Sequence, residues 1–208
     1  MKKAGSFEPR IRWIFLLVVV SVIICSCAFK NQPFVMKSAD LPFGGEICQI
    51  AVLPFANQTG YKLAETIFAR VFTAELIAEG QYVVAQEGDV RQILNQMRMM
   101  PGEELSSEQL RALADRLGVQ IVISGAVLEM QDMARGGDRL EPSLAVVVRI
   151  MEASSGRTIW ATYNRSEGRD YQIIMHFGVV NTVSALAKKV SAEILDSWAE
   201  EGFKKCVK

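Results

Sequence analysis

The chain has 208 residues, half of them apolar, with 23 basic and 23 acidic side chains and no formal net charge. That apolar share supplies a full hydrophobic core, so the composition excludes a disordered chain. No stripe of basic residues runs along it, which excludes nucleic acid as a partner.

The chain opens on Met1-Lys2-Lys3, with Arg10 and Arg12 ahead of a continuous apolar run from Trp13 to Ile24. A basic segment followed by an apolar one is the layout of a secretory signal. The run is shorter than the about 20 residues a membrane span needs. It ends in Ile24-Cys25-Ser26-Cys27, which resembles the bacterial lipobox: an aliphatic residue, a loosely constrained one, a small one, then the lipidated cysteine. Cys27 fits because Ser26 is small; Cys25 fits poorly because Ile24 would sit beside the cut. The resemblance implies cleavage before Cys27 and a covalent lipid there, with no other cofactor. Acyl chains contribute about 0.8 kcal/mol per buried methylene, so several of them hold a protein on a membrane almost permanently. Ala28 follows, where the inner-membrane retention signal has an aspartate, so the implied address is the periplasmic face of the outer membrane. An uncleaved N-terminal anchor is the alternative, and both readings place the rest of the chain outside the cytoplasm.

The expected organisation is a leader over 1–26, a lipidated N-terminus and tether over 27–47, and a single α/β domain over 48–208. Phe29 to Gly45 carries Pro33, Pro42, Gly44 and Gly45 without a clear period and reads as the tether. The cut removes four basic residues and one acidic residue, which leaves a mature chain with a net charge of −3. Of the four cysteines, Cys25 leaves with the leader and Cys27 takes lipid. Cys48 and Cys206 remain, in an oxidising compartment. A bridge joining the ends of the domain and two free thiols are both open readings.

Ile50-Ala51-Val52-Leu53-Pro54-Phe55 reads as a buried strand, and residues 56–60 as a turn. A helix is predicted over 61–79, with Leu63, Ile67, Phe68, Val71, Phe72 and Leu76 on one face and Gly80 just past its end. Residues 82–85 form a short strand, and 89–99 a helix that Pro101-Gly102 breaks. Ser106 or Ser107 starts the next helix, which turns Leu110, Leu113, Ala114 and Leu117 inward and stops at Gly118; Ser106 with Glu108 has the wrong spacing for a capping box. A strong strand covers 119–128, and Gly136-Gly137-Asp138 signals a turn. Leu144, Val146, Val148 and Ile150 alternate as in a half-buried strand over 143–152. The Ser154 to Arg157 turn then makes a hairpin with a strand over 158–166. Val183, Leu186, Val190, Ile194 and Trp198 line a last helix over 181–199. The order β-α-β-α-α-β-β-β-α predicts an α/β (α+β) two-layer domain, a mixed sheet packed by amphipathic helices.

Little in this sequence resembles a catalytic or metal centre. His176 is the only histidine, without a Gly-x-Ser-x-Gly elbow or a phosphate-binding loop to go with it. One histidine and two scattered cysteines make a poor zinc site. The domain therefore reads as non-catalytic. Two places are candidates for partner contact. Met97, Met99 and Met100 cluster beside Pro101, where exposed methionines adapt to varied surfaces; the competing reading puts Met97 in the core and the other two over the helix end. His176 and Phe177 lie in an apolar loop, Tyr171 to Val180, which packs internally or meets a neighbouring subunit.

Three blocks carry a resemblance. Ile50 to Phe55 followed by Asn57 and an amphipathic helix resembles the opening of the curli-secretion lipoprotein family (CsgG-like). Ala114-Asp115-Arg116-Leu117-Gly118-Val119-Gln120, leading into Val122-Ile123-Ser124-Gly125, is similar to that family's helix-to-strand passage. Ile150 to Trp160, turning at Ser155-Gly156, is similar to a third block. The resemblance spans about 49–198 and implies a lipid-anchored α/β domain. The family's secretion pore uses two additional amphipathic hairpins, and no segment here has the alternation of lipid-facing strands. The short form is closer to the related LpoB-like lipoproteins, which lack pore strands and act by touching a periplasmic partner. The expected function is thus an outer-membrane-anchored adaptor or assembly factor in envelope biogenesis or secretion, with a periplasmic or outer-membrane protein partner or copies of itself. The alternative is an oligomeric curli-type secretion channel component.

Overall fold

The computed structural model describes residues 34–37, 46–80, 82–132, 141–173, 177–200 and 204–205. The leader, Cys27, most of the expected tether, the Gly136-Gly137-Asp138 turn, His176 and Cys206 lie outside the described residues.

Seven strands form one mixed sheet: β1 (Phe34–Lys37), β3 (Gln49–Val52), β4 (Ala56–Asn57), β5 (Val83–Val84), β6 (Ile121–Gln131), β7 (Ser143–Glu152) and β8 (Thr158–Glu167). The order across it is β1-β8-β7-β6-β3-β5, with β4 also on β6. Neighbours from β1 to β6 are antiparallel, whereas β3 and β4 run parallel to β6 and β5 parallel to β3. Two more short strands, β2 (Glu46–Ile47) and β9 (Lys204–Lys205), pair in parallel, which brings the two ends of the domain together. Among the described residues four α-helices accompany the sheet: α1 (Ala64–Ala78), α2 (Glu87–Gln96), α3 (Ser107–Leu117) and α4 (Val183–Glu200). The mixed sheet packed by amphipathic helices matches the expectation from sequence.

Strand alternation divides the core between the two faces of the sheet. Ile50, Ile121, Ile123, Val146, Val148 and Ile150 pack with Phe68, Phe72 and Leu76 of α1 and Leu186, Val190, Ile194 and Trp198 of α4. Ala51 and Val122 point the other way, to Val90 and Leu94 of α2 and Leu110 and Leu113 of α3. Along the β3–β6 end, the second helical pair thus adds a third layer to the two expected.

Several boundaries differ from those read in the sequence, each for a local reason. Phe34–Lys37, inside the expected tether, is an edge strand on β8, with Phe34 opposite Tyr163 and Lys37 opposite Trp160. The helix after β4 begins at Ala64 because Asn57 organises the residues before it. Its Oδ1 accepts from the Thr59 N–H at 2.9 Å, and its Nδ2 donates to the Tyr61 carbonyl at 3.0 Å and to Glu65 at 2.7 Å. Leu63, the residue ahead of the helix, takes the left-handed conformation with φ 65°. At α3 the Ser106 hydroxyl accepts from the Gln109 N–H while the Gln109 side chain accepts from the Ser106 N–H, a full capping box. The strand expected to end at residue 128 runs on to Gln131 past an irregularity at Val127/Glu129. β7 is buried on most of both faces because it lies mid-sheet.

Gly125 fits the sheet to its cover. A Cβ there would lie 2.1 Å from the Val147 carbonyl oxygen and 2.5 Å from the Phe55 ring. The bare backbone lets Phe55 descend onto β6 and join Phe68 edge-on at 5.2 Å, with Phe68 stacked on Phe72 at 5.9 Å.

Candidate functional site

Among the described residues three places are candidates for function, and the first is a cleft. Its floor is Val52, Leu53, Pro54 and Phe55, where the chain leaves β3 before rejoining the sheet as β4. Its walls are α1 and α2, and its volume is about 560 Å³. The interior is apolar, from Ala69, Ile77, Val90 and Leu94, while the rim is charged. Glu87 at the start of α2 pairs with Arg91 one turn on and with Arg70 of α1 at 3.5 Å. These are exposed pairs, worth little as stability.

The second is a polar seam between β8 and α4. Thr162, Asn164 and Ser166 alternate inward from β8 and are buried. Asn164 donates to Glu193 of α4 at 3.3 Å, and Ser166 donates to Asn164 Oδ1 at 3.0 Å. Tyr171 closes the seam, and burial pushes its hydroxyl pKa well above the ordinary phenol range. Among the described residues the seam holds hydroxyls, an amide and a carboxylate joined by hydrogen bonds. Among the described residues, no group of three or more His, Cys, Asp and Glu side chains is placed to hold a metal ion.

The third is the loop after β8. Glu167 leads into a short 3-10 turn, Gly168–Tyr171, and the chain doubles back with the Ile173 N–H donating to the Phe177 carbonyl at 2.8 Å. Gly178, at φ 89°, closes the loop where a Cβ would lie 2.4 Å from the Tyr171 carbonyl oxygen. Above this neck Ile173 is 79% exposed and Phe177 76% exposed. Arginines bind the charged rim beside it. Arg165 reaches Glu129 and Glu167, both at 3.2 Å, while Arg169 reaches Glu141 at 2.7 Å and Glu167 at 3.3 Å. The hydrogen bond and charge of Glu129 raise the Arg165 pKa above its ordinary value.

The residues singled out in the sequence fall as follows. Met97 and Met99 are half-buried against the α2–α3 core, and the Met99 sulfur accepts from the Gln109 amide at 3.2 Å. Met100 alone of the three projects outward, 73% exposed. Arg98, at φ 57°, turns the chain just past the end of α2, between Met97 and Met99. Phe177 is on the surface, and its neighbour His176 lies outside the described residues. Cys48 is disulfide-bonded, and its N–H donates to the Gln120 side chain at 2.8 Å; Cys206 and Cys27 lie outside the described residues. Ile173 and the cleft were not among the residues the sequence singled out. Ile173 falls inside the apolar loop that the sequence marked, Tyr171 to Val180, whereas the cleft forms only when two successive helices pack over the end of β3.

The fold has solved counterparts. The PelC dodecamer of Paraburkholderia phytofirmans is similar at TM-score 0.50 and 18% identity, over 79% of this chain and 95% of that one. The lipoprotein GNA1162 of Neisseria meningitidis is similar at TM-score 0.52 and 16% identity, over 74% and 99%. The likeness is one of fold. The C-terminal domain of LpoB from Salmonella enterica aligns more loosely, at TM-score 0.42 and 17% identity, over 57% and 82%. No known family model and no curated protein matches the sequence, so membership of the curli-secretion family is not established. Among the described residues, no helix is long and apolar enough to cross a membrane.

Proposed function

We propose that this chain is a lipoprotein of the bacterial outer membrane, anchored through lipid on Cys27, whose domain faces the periplasm as a non-catalytic adaptor or assembly factor in envelope biogenesis or secretion. The observation that carries the reading is the position of Ile24-Cys25-Ser26-Cys27, closing a basic and apolar leader just ahead of a domain with the fold of a known lipoprotein. The disulfide at Cys48 suits an exported chain, because cytosolic thiols are kept reduced. The polar seam and the cleft lack a nucleophile paired with a base, which favours binding over catalysis. The dodecameric state of PelC, which shares the fold, supports a working form built from several copies of this chain.

Separation of cell membranes on a density gradient, followed by native mass measurement of the protein extracted in mild detergent, tests both parts. The expected result is sedimentation with the outer membrane and a discrete assembly of several copies. Recovery in the soluble fraction overturns the anchor; a monomer at every concentration overturns the assembly.

A further inference from the structure

The direction of β1 fixes which end of the domain an anchor on Cys27 brings to the membrane. β1 is antiparallel to β8, with Phe34 opposite Tyr163 and Lys37 opposite Trp160. The chain therefore enters β1 from the end of the sheet where β8 finishes at Glu167 and β7 begins at Ser143. Tyr163 lies four residues before Glu167, about 13 Å along the strand. Cys27 lies seven residues before Phe34, a covalent reach of at most about 25 Å. Fully extended, the stretch from Cys27 to Phe34 can therefore reach at most about 12 Å past the level of Glu167, the end of β8 that leads into the loop with Ile173 and Phe177. The opposite end, at the Ser154 to Gly156 turn of the β7–β8 hairpin, lies farther from Phe34, and the tether would have to reverse along the sheet to pass it.

We propose that this end of the domain rests on the bilayer, with Ile173 and Phe177 entering the interfacial region of the lipid. The proposal rests on Cys27 being lipidated. Two large apolar side chains are exposed on residues joined by a backbone hydrogen bond, an exposure that costs stability in water and gains it at a lipid surface. Phe177 is aromatic, suited to the interface between headgroups and acyl chains. The neighbouring arginines, Arg165 and Arg169, are each held between two carboxylates, so the contact is apolar and is not driven by lipid phosphate. A few apolar side chains on the loop then set the tilt of a domain that the lipid holds in place.

The test uses the full lipidated protein, reconstituted in phosphatidylethanolamine and phosphatidylglycerol vesicles with brominated acyl chains. Trp160 and Trp198 are buried and Trp13 leaves with the leader, so the parent protein supplies the background of the two core indoles, and the difference spectrum of Phe177→Trp against it reports on the new side chain. Ser154→Trp, at the far turn, is the control. The expected result is a blue-shifted, quenched emission from Phe177→Trp, unchanged by raising salt, and no quenching of Ser154→Trp. If the protein carries lipid on Cys27 and stays with the vesicles, yet Phe177→Trp is unquenched or Ser154→Trp is quenched instead, the orientation is wrong while the anchor stands. If Cys27 carries no lipid, the anchor and the orientation fall together.

Discussion

The ring of Tyr82 lies flat on the indole of Trp198, with centroids 5.4 Å apart and planes 3° from parallel. Tyr82 precedes the edge strand β5, and Trp198 is in the last turns of α4, so the stack joins the end of the first crossover to the end of the chain. Trp198 is fully buried, and Trp198→Ala is expected to destabilise the domain by about 3–5 kcal/mol. A double-mutant cycle with Tyr82→Ala should return a coupling of about 0.5–1.5 kcal/mol in chemical denaturation. A coupling near zero would show that the stack contributes nothing beyond burial.

The same pair sets an alkaline limit. Burial, and then the charge of Glu79, push the Tyr82 phenol up to about 12. The unfolded phenol titrates near 10, so the folded state is the one that keeps the proton longer. The stabilisation is complete below about pH 10 and is lost as pH rises from there through about 12. Tyr171, raised in the same direction by burial, adds to the loss. Denaturation midpoints measured across that window should fall less steeply for Tyr82→Phe than for the natural chain.

The local patterns in the sequence anticipate much of this fold. Phe68, Phe72 and Leu76, together with Leu186, Val190, Ile194 and Trp198, announce the buried faces of α1 and α4, and the alternation from Leu144 to Ile150 announces β7. What depends on distant partners is not legible. Four residues, Phe34 to Lys37, become a strand only because β8 offers them an edge. Likewise Pro54 interrupts a single apolar run, and only pairing with β6 shows that the chain rejoins the sheet at Ala56. The capping box was open to reading: Gln109 stands three residues after Ser106, the required spacing, whereas Glu108 does not. At the surface, Met99 and Met100 are adjacent in sequence, yet Met99 packs on the α2–α3 core and Met100 faces solvent, a difference that composition alone does not show.

Gly125→Ala should be among the most damaging small substitutions. The added carbon would lie 2.1 Å from a β7 carbonyl oxygen and 2.5 Å from the buried Phe55 ring, so the strand or the ring must shift. Overpacking of this kind costs about 1–3 kcal/mol or more, read as a lowered melting temperature. Restored stability in Gly125→Ala combined with Phe55→Leu would identify the Phe55 ring as the obstacle.

The disulfide at Cys48 has one expected partner. The parallel register sets Glu46 opposite Lys204 and Ile47 opposite Lys205, so its next step is 48 with 206. Peptide mapping without reductant is expected to recover Cys48 joined to Cys206. Because the bridge closes a loop of most of the domain, Cys48→Ser should cost roughly 4–5 kcal/mol in the chain-entropy model. A recovered bridge to Cys27 would contradict both the pairing and the anchor.

The central claim is that the chain is held to the membrane by lipid on Cys27, and intact mass measurement of the protein extracted from its own membranes tests it most directly. The account predicts an N-terminus at Cys27 carrying acyl chains, and loss of both the adduct and normal leader cleavage in Cys27→Ala. A protein that still begins at Met1, or one cut elsewhere and free of lipid, would contradict it.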